Sequence, residues 1–108
     1  MLELDKKNFE ELVLNSEGYM LVDYWGDACQ PCKDLMPDVE DLSEKYGDKI
    51  KFAKLNIKGN RRLAIGQKVL GLPSLVFYED GEKKEHLSGD ELEPEDIEEV
   101  LKKYYEQA

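Results

Sequence analysis

Leu21-Val22-Asp23-Tyr24-Trp25-Gly26-Asp27-Ala28-Cys29-Gln30-Pro31-Cys32-Lys33 holds the only two cysteines of a 108-residue chain, spaced Cys-x-x-Cys. The run leading into it, Tyr19 to Trp25, is apolar and aromatic except for Asp23, the pattern of a central strand buried on both faces. The residues after it, from Asp34 to Tyr46, carry Leu35, Val39, Leu42 and Tyr46 on one helical stripe. Pro37 falls inside that helix and should bend it, and Gly47-Asp48 ends it. A dithiol at a strand-to-helix junction is a redox-site signature.

Working outward, Leu2 to Leu4 reads as a short first strand. Asp5 is a suitable N-cap for a helix carrying Phe9, Leu12 and Val13, with Gly18 beyond its end. Ile50 to Ile57 alternates as a strand does. Asn60 is placed to cap a short helix reaching about Val69. Gly71-Leu72-Pro73 turns the chain into a strand over 74–78, and Asp80-Gly81 centres a hairpin whose return strand is 83–88. Pro94 fits the first turn of a last helix with Ile97, Val100, Leu101, Tyr104 and Tyr105 on one face. The order β-α-β-α-β-α-β-β-α gives an α/β fold. Crossover helices make the early strands parallel, and the hairpin adds antiparallel ones.

The net charge is −10 and unevenly spread: residues 79–108 hold 12 acids against 4 lysines. That balance argues against nucleic acid and anionic membrane as partners, since both are polyanions. No apolar run approaches the roughly 20 residues of a membrane-spanning helix, and Met1 to Asp5 is not a signal region. These features lead us to expect one domain over 1–108, a cytosolic location and a monomer. Two cysteines cannot form the multi-bridge framework of a small secreted domain, and so short a loop adds little as a staple, which favours a reactive pair.

A disulfide exchanger needs one exposed thiolate and a second thiol within reach of the mixed disulfide. Cys29 stands at the helix start, where unpaired backbone N–H groups favour negative charge, and is the expected nucleophile. Cys32, one turn deeper on the same face, is the expected resolving thiol. Pro31 suits the first turn. Lys33 adds positive charge that Asp27 and Asp34 oppose. Zinc binding would need four ligands, and one chain offers two cysteines and the distant His86, so it would require a bridge between chains. His86 itself reads as a surface or edge residue. Asp23 interrupts an apolar strand, so a raised pKa and proton exchange with Cys32 are expected of it, against the plainer reading of a solvent-facing strand end. Lys54 is either its counter-charge or an outward-facing strand lysine. Pro73 is either a strand starter or a cis-proline that leaves the Leu72 backbone free to pair with an incoming peptide.

Taken together, Val22-Asp23-Tyr24-Trp25, Cys29-Gln30-Pro31-Cys32-Lys33, Lys54-Leu55-Asn56, Gly71-Leu72-Pro73-Ser74-Leu75 and the Asp80-Gly81 hairpin resemble the thioredoxin family over essentially the full chain. The resemblance implies the thioredoxin fold, a central mixed sheet of about five strands flanked by four helices. It implies a thiol–disulfide oxidoreductase without a bound cofactor, in which Cys29 attacks and Cys32 resolves. Asp23 would be the buried proton-handling carboxylate, Lys54 its partner and Pro73 a cis-proline facing the dithiol. Trp25, Ala28, Gln30, Pro31, Leu72 and Gly89 would form the substrate-facing surface. Its partners would be disulfide-containing proteins and a flavoprotein thioredoxin reductase, nicotinamide- or ferredoxin-linked. The family usually reads Trp-Cys-Gly-Pro-Cys-Lys. Here Ala28 replaces a large exposed indole and Gln30 replaces a flexible glycine, changes that bear on docking and on potential. A carrier specialised for one enzyme, a glutaredoxin-like role and a non-catalytic binding module are the alternatives.

Overall fold

The computed structural model describes residues 1–108. Its frame is a five-stranded sheet in the order β1-β3-β2-β4-β5, built from β1 (Leu2–Leu4), β2 (Tyr19–Trp25), β3 (Ile50–Asn56), β4 (Ser74–Glu79) and β5 (Glu82–Ser88). β1 and β2 run parallel to β3, while β4 is antiparallel to both β2 and β5. The expected mixed sheet is therefore present. β2 lies at its centre because its side chains are apolar on both faces: Val22, Tyr24 and Leu21 are all buried.

Alternation along β2 divides the core into two layers. Met20, Val22 and Tyr24 pack with Phe9, Val13, Ala64 and Val69. Leu21 faces the other way and packs with Leu35, Val39 and Leu42 of α1 (Gln30–Tyr46) and with Ile97 and Leu101 of α3 (Pro94–Tyr105). The α1 stripe read from sequence is buried as expected, and Pro37 sits within the helix. α3 starts at Pro94 behind a reciprocal cap between Glu93 and Asp96. Phe77 stacks on Tyr104 at 4.3 Å between ring centroids, which fixes α3 against the sheet.

Two helix expectations are corrected. The first helix is one π turn, Glu10–Leu14, closed by Asn15 N–H donating to the Glu10 carbonyl. Asp5 does cap, but it caps the preceding turn, accepting from Lys7 and Asn8 N–H. The helix after Asn60, α2, covers only Arg61–Gly66 and stops well short of Val69. The Asn60 side chain does not cap it. Its Oδ1 accepts from Lys6 N–H at 2.8 Å and its amide donates to the Asn56 carbonyl, so it ties the N-terminal segment to the end of β3. The hairpin is as expected: Asp80 and Gly81 both have positive φ, at 51° and 82°, the pairing a two-residue turn needs.

Candidate functional site

The site forms where β2 ends and α1 begins. Cys29 is the N-cap of α1, and its Sγ accepts from Cys32 N–H at 3.2 Å. Cys29 is half-exposed and Cys32 is buried. The two are joined as a disulfide with Cα atoms 5.3 Å apart. Pro31 occupies the first turn, where its missing N–H costs nothing. Gln30 is exposed and donates from Nε2 to Asp34 Oδ1 at 2.8 Å, so the residue between the cysteines is tied along the helix. Ala28 is exposed on the other side of Cys29.

Asp23 shares with Leu21 the face of β2 that α1 covers, and Cys32 is the first buried residue of α1. Asp23 is 1% exposed, and neither carboxyl oxygen has a hydrogen-bond partner. Burial pushes its pKa from 3.8 up to about 7, with the Lys54 charge pulling the other way. Lys54 lies directly opposite Asp23 in the β2–β3 register, but its close ion pair is with Glu3, at 3.7 Å. The carboxyl therefore feels Lys54 through space and is otherwise unpaired.

The second wall comes from the turn before β4. The Leu72–Pro73 bond is cis and Pro73 is buried. Leu72 makes no backbone hydrogen bond, which leaves its N–H and C=O free. Pro73 lines one cleft with Pro31, which lies between the cysteines, and Leu72 lines another with Cys29. Gly89 donates its N–H to the Pro73 carbonyl at 3.2 Å, placing the β5 end beside the turn. Gly26 is buried beneath Leu72: a Cβ there would lie 3.1 Å from Leu72 Cδ1. Trp25 is half-buried, and its indole N–H is enclosed without a partner.

Several participants were not legible in the sequence. Lys58 and Arg61 line the same cleft as Cys29; the signal was two bases close together in a strongly acidic chain. His86 is half-buried in edge strand β5. Its Nε2 lies 3.1 Å from Ser74 Oγ, which donates to the Gly71 carbonyl at 2.7 Å, so His86 braces the turn that carries Pro73. In the sequence His86 follows the charged run Glu82-Lys83-Lys84-Glu85, and its Nδ1 lies 3.3 Å from Lys83 Nζ, so nothing near it in the chain foretold the contact with Ser74. No cluster of three or more metal-ligating side chains occurs, and no helix is long and apolar enough to cross a membrane.

Comparison with known proteins adds to this geometry. The family model described as Thioredoxin matches residues 1–103. A thioredoxin of Acetoanaerobium sticklandii is 46% identical over 104 residues, covering 96% of this chain and 99% of that one. A thioredoxin of Peptoclostridium acidaminophilum is 48% identical over 104 residues, covering 96% and 94%. Among solved structures, a mutant thioredoxin from Halobacterium salinarum NRC-1 superposes with a TM-score of 0.84 at 29% identity, covering 96% of this chain and 89% of that one.

Proposed function

Because the chain belongs to the thioredoxin family, we propose that its 108 residues form a single thioredoxin domain in which Cys29 attacks, Cys32 resolves and Asp23 handles the proton. The activity class itself, thiol–disulfide oxidoreductase and protein-disulfide reductase, follows from the family, and the cysteine pair carries the chemistry. The observation that supports the division of roles is the contrast in burial: Cys29 is half-exposed at a helix start, while Cys32 is enclosed on the Asp23 side.

In the reduced protein the Cys29 thiolate attacks one sulfur of a substrate disulfide. An S–S bond forms to Cys29, and the other substrate sulfur leaves as a thiolate that takes a proton. The Asp23 carboxylate removes the Cys32 proton, and the Cys32 thiolate attacks Cys29 Sγ. The second substrate sulfur leaves as a thiolate that takes the proton held on Asp23, and the Cys29–Cys32 disulfide remains. Two electrons have passed to the substrate, with one proton from Cys32 by way of Asp23 and one from solvent. The Cys32 N–H, which donates to Cys29 Sγ, steadies negative charge on Cys29 when it is a thiolate. Pro73 closes the site opposite the sulfurs, and the free Leu72 backbone pairs with the substrate chain. Trp25, Ala28, Gln30, Pro31 and Gly89 complete the contact surface. Lys54 tunes Asp23 from across the register.

Disulfide-containing proteins are the substrates in this reading, and a flavoprotein thioredoxin reductase restores the dithiol. The protein acts as a monomer in the cytoplasm. A carrier specialised toward few partners is favoured by two local observations: Ala28 leaves the rim of Cys29 without a large side chain, and Gln30 is tied to Asp34.

Trapping tests the assignment. Cys32→Ser should accumulate mixed disulfides with protein substrates, and Cys29→Ser should accumulate none. The opposite pattern would exchange the roles, and failure of both variants to trap, together with wild-type protein that does not accelerate insulin reduction, would defeat the reading.

A further inference from the structure

The surface over Cys29 lies between two flanks of opposite charge. On the β3–α2 side, Cys29 shares a cleft of about 480 Å³ with Lys58, Arg61 and Leu72. An apolar cleft adjoins it, sharing Arg61 and Leu72, and at its edge Leu70 is 82% exposed and Ile65 52% exposed. On the β4–α3 side, a cleft of about 240 Å³ is walled by Pro31 and Pro73 and by Asp34, Asp38, Asp90 and Glu93, with no base among its lining residues. The one acid of the Cys29 cleft, Asp27, accepts from Asn56 Nδ2 at 3.3 Å.

Neither Lys58 nor Arg61 makes an ion pair within the protein. Only Lys45, Lys54, Lys84 and Lys103 are paired with an acid, so what sets Lys58 and Arg61 apart from an ordinary solvated surface is their place in the lining of the Cys29 cleft. The only two arginines, Arg61 and Arg62, open α2. A helix start is where the macrodipole favours anions, so helix stability does not account for them there. A guanidinium fork is suited to a carboxylate, and Leu70 and Ile65 beside it offer apolar contact.

We infer that the dithiol selects charge-polar partners: a segment with a carboxylate and an apolar side chain on the α2 side of its disulfide cysteine, and a lysine or arginine on the α3 side. This rests on Cys29 being the attacking sulfur. The complement is electrostatic and exposed, so it acts on encounter and orientation and weakens with salt. It distinguishes partners of equal net charge by the order of their charges, because the two flanks lie on opposite sides of the end of β2.

Two peptides of identical composition test it, each with one cysteine held as a mixed disulfide with neutral thiopyridine. In one, Asp-Leu precedes the cysteine and Lys-Lys follows it; in the other the order is reversed. Reduced protein should react with one of them about threefold to tenfold faster in kcat/KM, the range expected of a few exposed charge pairs. The preference should fade at high salt. The quadruple variant Lys58→Glu, Arg61→Glu, Asp90→Lys, Glu93→Lys keeps the net charge and should invert the preference, so a gain on the disfavoured peptide reports a folded protein. Should that variant not fold, Lys58→Gln with Arg61→Gln must reduce the preference. Equal rates for the two peptides, or a preference that survives these changes, would overturn the inference. Loss of reaction with both peptides and with insulin would instead defeat Cys29 as the attacking sulfur.

Discussion

Lys54 faces Asp23 across the β2–β3 register, yet its ammonium is turned to Glu3, 3.7 Å away on the neighbouring strand, and the Asp23 oxygens are left with no hydrogen-bond partner. A buried carboxyl without a donor is easier to hold neutral than charged. Its pKa is accordingly raised from 3.8 to about 7.

A raised folded-state pKa makes stability fall as pH rises. Between 3.8 and about 7 the folded protein holds a proton on Asp23 that the unfolded chain has lost. The stabilisation is complete below pH 3.8 and gone above pH 7, a difference on the order of 4 kcal/mol at about 1.4 kcal/mol per unit. Asp23→Asn should therefore be more stable than the wild type at pH 8 by a few kcal/mol, and the gap should close toward pH 4. Urea unfolding at a series of pH values measures it. An unchanged pH dependence in the variant would mean that Asp23 is not the titrating group.

Lys54 lowers the Asp23 pKa through space rather than by a bond. Lys54→Met removes that field, so the Asp23 pKa should rise further. The pH profile of disulfide exchange should move to higher pH by a fraction of a unit to about one unit, with little change in the plateau rate. Stopped-flow exchange against a neutral disulfide across pH 5–9 reads the shift. A move to lower pH would show that Lys54 does not support the charged form.

Gly81 should be among the least replaceable glycines. Its φ is 82°, and a Cβ added there would lie 2.0 Å from the Leu14 carbonyl oxygen. The hairpin tip is packed against the π turn and is also tied to Gly18, whose N–H donates to Asp80 Oδ1 at 2.7 Å. Gly81→Ala must strain the turn or part it from the turn below, at a cost of about 1–3 kcal/mol. Since the tip is at the far end of β4 from Pro73, exchange kinetics under native conditions should hold while the urea midpoint falls. A midpoint like that of the wild type would show that the tip yields freely.

The parts of this molecule that sequence made legible are those governed by local rules. The two-sided apolar run of β2, the α1 stripe and the Asp80-Gly81 turn each follow from periodicity or from glycine's access to positive φ. Asp23 was visible because a carboxylate breaks an apolar strand. What stayed hidden depends on partners distant in the chain. Asn60 looks like a helix cap in its own neighbourhood, but its amide is spent on Lys6 and Asn56. The π turn Glu10–Leu14 closes with a bond from Asn15 N–H to the Glu10 carbonyl, five residues back, that no spacing of Phe9, Leu12 and Val13 announces. His86 gains its role only because β5 brings it opposite Val76, beside Ser74.

A second hidden feature is the pair of tyrosines on the opposite face of β2. Tyr24 and Tyr78 are 0% and 1% exposed, their hydroxyls are 2.7 Å apart, and Tyr78 donates onward to Gln67 Oε1 at 2.9 Å. The direction of the chain follows from its end: Gln67 Oε1 can only accept, so Tyr78 donates to it and Tyr24 donates to Tyr78. Burial raises both hydroxyl pKa values, that of Tyr78 to about 12, so both stay neutral. Tyr78→Phe leaves the Tyr24 hydroxyl buried without a partner and takes the donor from half-buried Gln67 Oε1, and should cost about 1–3 kcal/mol. Tyr24→Phe removes only the outer donor, and Tyr78 keeps Gln67, so about 0.5–1.5 kcal/mol is expected. In the double Phe variant the Tyr24 hydroxyl is no longer stranded. Its destabilisation should fall short of the sum of the two single changes by at least about 0.5 kcal/mol. Urea unfolding of the four proteins closes the cycle, and additive costs would show that the two hydroxyls do not act as a pair.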